Sequence, residues 1–383
     1  MKHIKKVADA IGLKKIYYKR RDSLLRLRGF TLLNLQQTIS FMVPYKIKSV
    51  PGEITVLPKI TNIADDKIVI FPEKECLTDR VFVWEYQDPN QILAISKFGS
   101  IIINGKVLTT DRNHFSFYKD IWERDKRTIK KTSLVIALFS QFQDGVFYGG
   151  YYDFIFLVAT KLCRIKDSFP SLDISKIIIT YPLFNTNYET DYLQLLGVNI
   201  NNLIDSSKYK VAAPQVITGN SAQWYPNLTD IISLKQHITA VVKPTKTESN
   251  RIYISRSGRR HIINEDELII MLKKFDFVII EDKPRTVSEQ ITIYQNASFI
   301  IGPHGASFSN IIWCEPGTHL LELFSCNYAP DFFLYLAKVM KMGYSAYYEN
   351  TDKVDYIDAL VEDIHVSVPK LEAYLSNFFQ INP

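Results

Sequence analysis

The sequence has few of the residues that mark secreted, metal-binding or membrane-spanning proteins. The four cysteines are scattered: Cys76, Cys163, Cys314 and Cys326. They lack metal-ligand spacing, so we expect reduced thiols of a cytosolic protein. No run of about 18 apolar residues is present, and the first residues lack the apolar segment of a signal peptide. The sequence therefore predicts a cytoplasmic protein without a membrane-spanning helix.

A net positive charge is found only at one end of the chain. Residues 1–28 contain ten Lys and Arg residues and two acids, whereas the other 355 residues have a net charge of −2. A body that is not basic argues against nucleic-acid binding. The basic segment has two open interpretations, a solvated tail or a peripheral anchor on an anionic surface such as the inner membrane.

Apolar residues are plentiful, at 46% of 383 residues, which suits a packed protein with two domains. Short apolar runs between residues 80 and 110, with the turn signal Asn104-Gly105, predict a β-meander. Strand and helix patterns then alternate up to about residue 241, as in a parallel α/β layer. The polar residues 243–250 lack an apolar period and form the predicted domain boundary.

The most regular pattern lies between residues 250 and 348. Five apolar runs alternate with helical patterns in the order βαβαβαβαβ, which predicts a Rossmann-like sheet. A last amphipathic helix, about residues 368–379, needs a partner surface for Leu371 and Phe378.

Residues 298–310 hold the clearest candidate site. An apolar strand is followed by Gly302, Pro303, His304 and Gly305 and then by a short helix. Glycine lets an anion approach, and the backbone N–H groups at a helix start can bind it. The alternative is an ordinary strand-to-helix turn that carries a surface histidine.

Other polar residues are expected at the same edge of the sheet. Arg256 and Arg260 follow the first strand of this domain, and Glu322 lies near the end of the fourth. Ligands bind outside the carboxyl ends of parallel strands, so these side chains are expected to converge with the glycine loop. The convergence predicts a site for a nucleoside diphosphate.

Each candidate residue has a predicted role in that site. Arg256 and Arg260 supply charge to the diphosphate, and His304 reaches a phosphate oxygen. The backbone N–H groups of Gly305 and Ala306 donate to phosphate, with Gly302 giving the loop its turn. The remaining two candidates are Asn310, which follows the loop, and Glu322, which is predicted to accept from ribose hydroxyls.

The pattern does not fit a dinucleotide dehydrogenase. That fold needs G-x-G-x-x-G after its first strand, with an acid about 20 residues further on. Here the first turn reads Arg256-Ser257-Gly258-Arg259, and the glycine loop follows the third strand instead.

These segments resemble glycosyltransferase family 61. The resemblance lies in residues 254–256 (ISR), 259–265 (RRHIINE), 302–310 (GPHGASFSN) and 316–322 (PGTHLLE). It implies a GT-B fold, in which two Rossmann-like domains face a cleft, with the β-meander added to the first. It also implies an inverting reaction without a metal, consistent with the lack of a D-x-D pair at the predicted strand ends. The implied division is a tail (1–28), an acceptor-side domain (29–243), a nucleotide-sugar domain (244–366) and a helix returning to the first domain (367–383).

Asp153 is the candidate base by the same resemblance, since some family members carry an Asp-Phe pair similar to Asp153-Phe154. Its alternative role is to cap the helix that it begins.

The prediction is an inverting, metal-independent glycosyltransferase. It moves a sugar from a nucleotide-sugar, with a UDP-sugar favoured, to an oligosaccharide or lipid-linked glycan of a bacterial capsule or lipopolysaccharide. A sugar-nucleotide epimerase and a non-catalytic scaffold are the alternatives.

Overall fold

The structure, a computed structural model, describes residues 13–111, 125–140, 150–221, 224–243, 245 and 250–381, and residues 13–19 for their backbone alone. The start of the predicted basic tail, most of the predicted boundary segment and residues 141–149 lie outside the described residues. The described residues form two compact units. We call them the N-terminal unit (Met1–Pro51 with Arg80–Gln223) and the C-terminal unit (Gly52–Asp79 with Trp224–Pro383).

Strands and helices are numbered here in chain order. The strands are β1 (Thr31–Leu32), β2 (Lys46–Val50), β3 (Ile54–Leu57), β4 (Ile60–Asn62), β5 (Asp65–Phe71), β6 (Lys74–Leu77), β7 (Val81–Gln87), β8 (Leu93–Ile95), β9 (Ile101–Ile103), β10 (Lys106–Val107), β11 (Thr128–Lys131), β12 (Leu134–Ala137), β13 (Ile178–Tyr181), β14 (Leu203–Asp205), β15 (Tyr209–Ala213), β16 (Gln215–Gly219), β17 (Asn250–Ile254), β18 (Phe277–Ile280), β19 (Ala297–Pro303), β20 (His319–Ser325) and β21 (Gly343–Glu349). The helices are α1 (Leu13–Leu27), α2 (Leu35–Met42), α3 (Tyr151–Asp153), α4 (Thr160–Ser168), α5 (Asn187–Leu195), α6 (Leu228–Thr239), α7 (Glu265–Lys273), α8 (Val287–Gln295), α9 (Phe332–Val339), α10 (Tyr356–Ala359) and α11 (Val368–Ile381), with a π-helical segment, Phe154–Ala159, between α3 and α4. Among the residues described, no helix is long and apolar enough to cross a membrane.

The N-terminal unit contains two mixed sheets. One has the strand order β14-β13-β12-β16-β7-β2, in which β12, β13, β14 and β16 are parallel. The other, β1-β10-β9-β8-β15-β11, contains the predicted β-meander as β8, β9 and β10. Asn104 and Gly105 both have positive φ, as a tight hairpin turn requires, so the meander is confirmed for β8 to β10. The first of the predicted apolar runs, residues 81–84, lies instead in β7 of the other sheet.

The C-terminal unit is built on the predicted parallel sheet. Its strand order is β18-β17-β19-β20-β21-β4-β5, and β17 to β21 are all parallel. The five predicted strands are therefore confirmed. The helices α7, α8 and α9 lie between successive strands, and a 3₁₀ helix, Ala306–Trp313, takes the place of the predicted short helix between β19 and β20.

Two segments group differently from the predicted division at residue 243. Residues 52–79 and 224–243 both belong to the C-terminal unit. The first segment lengthens the sheet, because β4 pairs with β21 and the Asn62 side-chain amide donates to the Tyr348 carbonyl at 2.8 Å. The prediction followed chain order, and an insertion that pairs with a strand almost 290 residues later leaves no local signal.

The last helix packs within its own unit, whereas the sequence predicted a return to the first domain. Leu371 and Leu375 of α11 are fully buried in the core formed by β17, β19 and β20. The ring of Phe378 lies edge-on to Phe299 of β19, with centroids 5.0 Å apart. The apolar face that needed a partner is therefore covered by the strands and α7 of the C-terminal unit.

A half-buried histidine links α11 to the sheet, and we expect it to make this unit sensitive to acid. His319 stacks on Phe299, and its Nε2 lies 2.9 Å from the hydroxyl of Ser345, which lies 2.6 Å from the hydroxyl of Tyr374 in α11. Burial lowers the pKa of His319 to about 4. The unfolded chain therefore binds this proton at a higher pH than the folded chain, and folding stability decreases as the pH falls from about 6.5 towards 4.

We expect His319→Gln to reduce this loss of stability. Between pH 7 and pH 5, wild type should lose about 2 kcal/mol of unfolding free energy through His319 alone, whereas the variant lacks that contribution. Urea unfolding at both pH values measures the difference for each protein. Equal losses in both proteins would show that His319 is not the group that titrates.

Candidate anion-binding site

The candidate site lies where the strand order of the C-terminal sheet reverses. Strand β17 lies between β18 and β19: the chain continues from β17 to β18 on one side, and it then crosses to β19 on the other. At such a switch point the loops after neighbouring parallel strands diverge and leave a crevice at their carboxyl ends. The loop of residues 255–260 follows β17 and the loop of residues 304–305 follows β19, so both reach this crevice.

The loop after β19 is anchored on both sides by the sheet. The backbone N–H of His304 donates to the carbonyl of Leu323 in β20 at 2.8 Å. On the other side, a Cβ atom at Gly302 would lie 2.9 Å from the carbonyl oxygen of Ile254, so only glycine permits this spacing of β17 and β19. The sheet therefore fixes where the loop leaves the strand.

Arg256 joins the two loops. Its Nη1 donates to the carbonyl of His304 at 2.8 Å, and burial together with neighbouring Arg259 lowers its pKa. The guanidinium lies against Gly305, because a Cβ atom built there would be 2.1 Å from Nη1. Gly305 has an extended backbone, so its role is to leave space for Arg256 and not to provide a turn.

We expect Gly305→Ala to displace the Arg256 guanidinium without unfolding the protein. The clashing atom is the end of a flexible side chain, which can move, so the cost falls on the site. Affinity for UDP should decrease about tenfold, the value of one lost charge-assisted hydrogen bond. Binding is measured by titration calorimetry.

The matched control is Gly302→Ala, in which the clash is with backbone and should lower the melting temperature instead. In the background Arg256→Ala, Gly305→Ala should cost little more, because both act through the same side chain. Additive losses in the double variant would contradict this mechanism.

Arg260 is a buried cation that makes no ion pair with the described residues, although the Glu322 carboxyl group lies within electrostatic range of it. Its side chain is only 8% exposed, and within the described residues no hydrogen bond or ion pair reaches its guanidinium, whose Nε is completely buried. Its guanidinium carbon lies 5.5 Å from the ring centroid of Tyr328. Burial, with Arg256 and Arg259, lowers its pKa to about 10. A buried charge is normally paired, so this arrangement indicates a site for an anion.

The backbone of Arg260 is also unusual, since its φ is +61°. Residues other than glycine rarely adopt this left-handed conformation, and such strain concentrates at binding sites. Nearby, Asp282 holds the start of the loop, because its Oδ2 accepts from the backbone N–H and the hydroxyl of Ser257 at 2.9 and 2.8 Å. The pairing of β17 with β18 brings Asp282 to this loop.

His304 is held by two residues of neighbouring strands. Its Nδ1 lies 2.5 Å from Oε1 of Glu322, and the hydroxyl of Tyr344 donates to Oε2 of Glu322 at 2.6 Å. Glu322 is fully buried, so its predicted contact with ribose hydroxyls does not fit this geometry. Tyr344 was missed, because a tyrosine in a strand is normally read as a packing residue.

Asn310 is placed by the structure as a packing residue of the loop. It is 2% exposed, and its side-chain amide donates to Oε1 of Gln290 in α8 at 2.9 Å. This contact ties the 3₁₀ helix to α8 and supports the loop from behind. Ala306 begins the 3₁₀ helix directly after Gly305, so the backbone N–H groups predicted to bind phosphate lie at the start of that helix.

Asp153 belongs to the N-terminal unit, where it is buried at the end of α3. Its Oδ2 accepts from the backbone N–H of Gly150 at 3.3 Å, which fits the capping interpretation. The same position precedes the π-helical segment, a type of helix that occurs often at functional sites. Its role as a base remains a prediction.

Within the part of the chain that the structure describes, no group of three or more His, Cys, Asp or Glu side chains is arranged to bind a metal ion. The metal-independent reaction stays a prediction.

Known proteins point to the same part of the chain. Residues 156–321 match the family model "Glycosyltransferase 61", a range that contains Arg256, Arg260 and His304. The match supports a place in this family. It leaves out Asp153 and Glu322, which lie just beyond its two ends.

One curated relative is the Drosophila melanogaster protein named "EGF domain-specific O-linked N-acetylglucosamine transferase", 27% identical over 106 residues. The aligned part is 27% of this chain and only 20% of that relative. Together the two matches support a glycosyl-transfer role. The mixed α/β architecture with parallel strands in both units fits an α/β glycosyltransferase fold.

Proposed function

We propose that this protein is a glycosyltransferase that takes a sugar from a nucleotide-sugar whose diphosphate binds in the crevice after β17 and β19. The observation that carries the proposal is Arg260, a buried guanidinium that makes no ion pair or hydrogen bond with the described residues. Two guanidinium groups and the backbone N–H donors of a glycine loop are suited to bind a diphosphate anion. Binding it would remove the cost of the unpaired buried charge.

In the proposed reaction, the donor diphosphate contacts Arg256, Arg260 and His304. Negative charge develops on the diphosphate as the bond to the sugar breaks, and these cationic and N–H donors stabilise it. Asp153 takes the proton of the acceptor hydroxyl, which attacks the anomeric carbon from the opposite side and inverts its configuration. No metal is needed for these steps. A GT-B arrangement, with donor and acceptor on different domains, is part of the proposal.

The donor proposed first is a UDP-sugar. The N-acetylglucosamine in the relative's name makes UDP-N-acetylglucosamine the first compound to test.

The acceptor proposed is an oligosaccharide or a lipid-linked glycan of a bacterial capsule or lipopolysaccharide. The enzyme would act in the cytoplasm, with residues 1–28 attaching it to the anionic inner membrane. A deletion of residues 1–28 that left association with anionic vesicles unchanged would exclude that attachment.

A thermal-shift panel tests the donor site. Wild type and His304→Ala are heated with UDP, CMP, GDP and their sugars. A ligand at a hundredfold excess over its dissociation constant should add about 2.7 kcal/mol of stability. We expect a shift with one class of nucleotide in wild type and a smaller one in His304→Ala. No shift with any nucleotide would contradict the proposal.

A turnover assay separates the alternatives. A glycosyltransferase releases the nucleoside diphosphate faster when an acceptor is added. An epimerase changes the sugar of the donor with no acceptor present, and a scaffold binds without turnover. Release of UDP from UDP-N-acetylglucosamine, measured with and without a panel of glycan acceptors, distinguishes the three.

A further inference from the structure

Behind His304 lies a chain of hydrogen bonds that ends in the core. The hydroxyl of Tyr344 donates to Oε2 of Glu322, and Oε1 of Glu322 faces Nδ1 of His304 at 2.5 Å. Each of the two oxygens of the carboxyl group therefore has a partner inside the sheet. Since Glu322 is fully buried, it is available to hold the histidine but not to contact a ligand.

The histidine ring is held in one orientation. It lies between the aromatic rings of Phe324, Tyr328 and Phe333, whose centroids are 5.2–5.5 Å from its own. The two nitrogens lie on opposite sides of an imidazole ring, so Nε2 points away from Glu322. Among the hydrogen bonds of the described residues, none uses Nε2. This nitrogen is therefore the one left for a ligand.

The charges around the pair indicate where its protons lie. Burial raises the pKa of Glu322, while burial and the neighbouring charges of Arg260 and Arg256 lower the pKa of His304. Both directions favour a protonated carboxyl group that donates to Nδ1 of a neutral ring. A neutral imidazole that accepts at Nδ1 carries its own proton on Nε2.

We propose that Glu322 and Tyr344 are positioning residues that hold His304 through Nδ1, so that Nε2–H always faces the diphosphate as a hydrogen-bond donor. The inference rests on the proposed function. It adds Tyr344 and Glu322, which have no role in the proposed reaction. When the diphosphate binds, the proton moves from Oε1 of Glu322 to Nδ1 of His304. The O–H bond breaks as the N–H bond forms, which leaves an imidazolium next to the phosphate and a carboxylate in the core.

This arrangement strengthens the contact only when the anion is present. In the empty site the pair is neutral, which avoids a third positive charge beside Arg256 and Arg260. In the occupied site, the Nε2–H bond becomes charge-assisted, roughly doubling its strength. Tyr344 assists because its hydroxyl donates to Oε2 and thereby stabilises the carboxylate form of Glu322.

The tautomer of His304 is the first test, and it needs no substrate. Protein with ¹⁵N-labelled histidine is studied by NMR without nucleotide, and the His304 resonances are assigned with His304→Gln. We expect a protonated Nε2 in wild type. Glu322→Met has no proton to donate to Nδ1, so it should show a measurable fraction of the Nδ1–H tautomer, whereas the amide N–H of Glu322→Gln can still donate to Nδ1 and should keep the ring proton on Nε2. An unprotonated Nε2 in wild type would overturn the proposal.

Affinity for UDP is the second test, with a matched control on the same strand. Tyr344→Phe removes only the hydroxyl that supports Glu322, and we expect about tenfold weaker binding. Tyr347→Phe removes a similar bond to a different carboxylate, because Tyr347 donates to Oε1 of Glu349 at 2.6 Å. The control should bind UDP as wild type does, whatever the two variants lose in stability.

The outcomes keep the two proposals apart. If wild type does not bind UDP or any other nucleotide of the panel, the proposed function fails, while the tautomer measurement still tests the positioning role. If wild type binds UDP and Tyr344→Phe binds it as tightly as Tyr347→Phe does, the positioning role fails and the donor site stands. A large loss in Tyr344→Phe alone, together with a protonated Nε2, supports both.

Discussion

Replacing Arg260 with methionine should raise the melting temperature of the empty protein and almost abolish nucleotide binding. The guanidinium is buried and makes no ion pair with the described residues, so its desolvation is a cost in the absence of ligand. Methionine fills a similar volume without that cost. Affinity for UDP should fall about a hundredfold, since hydrogen bonds to charged groups contribute about 1.5–3 kcal/mol. Thermal unfolding and calorimetric titration with UDP measure the two effects.

Opposite changes in stability and affinity are the distinctive feature of this prediction. Methionine has a Cβ atom as arginine does, so the strain of the positive φ at position 260 is the same in both proteins. The control is Arg259→Met, because Arg259 is adjacent in sequence but exposed. It should change both quantities only slightly. A lower melting temperature for Arg260→Met would mean that Arg260 stabilises the empty fold.

Why such a site was predictable from sequence can be seen in the loop of residues 302–305. Its glycines are visible in the sequence, although the structure shows that they serve contacts with β17 and the loop after it: Gly302 lets β17 and β19 approach, and Gly305 leaves space for Arg256. The periodic pattern between residues 250 and 348 gave five strands, and the order of those strands brings Arg256 and His304 together. Local patterns and a general rule for parallel sheets were sufficient for these residues.

The parts that were missed depend on contacts between distant segments. Tyr344 acts on His304 only through Glu322, two strands removed from the loop, and nothing in its own sequence context marks it. Residues 52–79 join a sheet formed by the last third of the chain. The role of Glu322 was assigned wrongly for the same reason. Its position in the site was predicted from the strand. Its hydrogen bonds inside the protein, to Tyr344 and His304, come from other segments of the chain.

Two roles have been assigned to Asp153, that of a helix cap and that of a catalytic base. The hydrogen bond that its carboxylate accepts from the Gly150 N–H, at 3.3 Å, is one that asparagine can also accept. Asp153→Asn therefore preserves the start of the helix while it removes the basicity of the side chain. The substitution separates the capping role from the proposed catalytic role without changing the size of the residue.

We expect Asp153→Asn to lower the rate of sugar transfer by a factor of about 10²–10⁴, the usual contribution of a general base. The affinity for UDP should not change, because the donor contacts lie in the C-terminal unit. Initial rates with the acceptor identified in the turnover assay, and calorimetric titration with UDP, measure the two quantities.

The control is Asp173→Asn, a carboxylate of the same unit that accepts from the backbone N–H of Ser175 at the start of a short helix. It has a capping role and no proposed part in the reaction, so its transfer rate should equal that of wild type. Full activity in Asp153→Asn would assign Asp153 to capping alone. In that case the negative charge of Asp153 is not needed for the reaction, and another carboxylate would be the base.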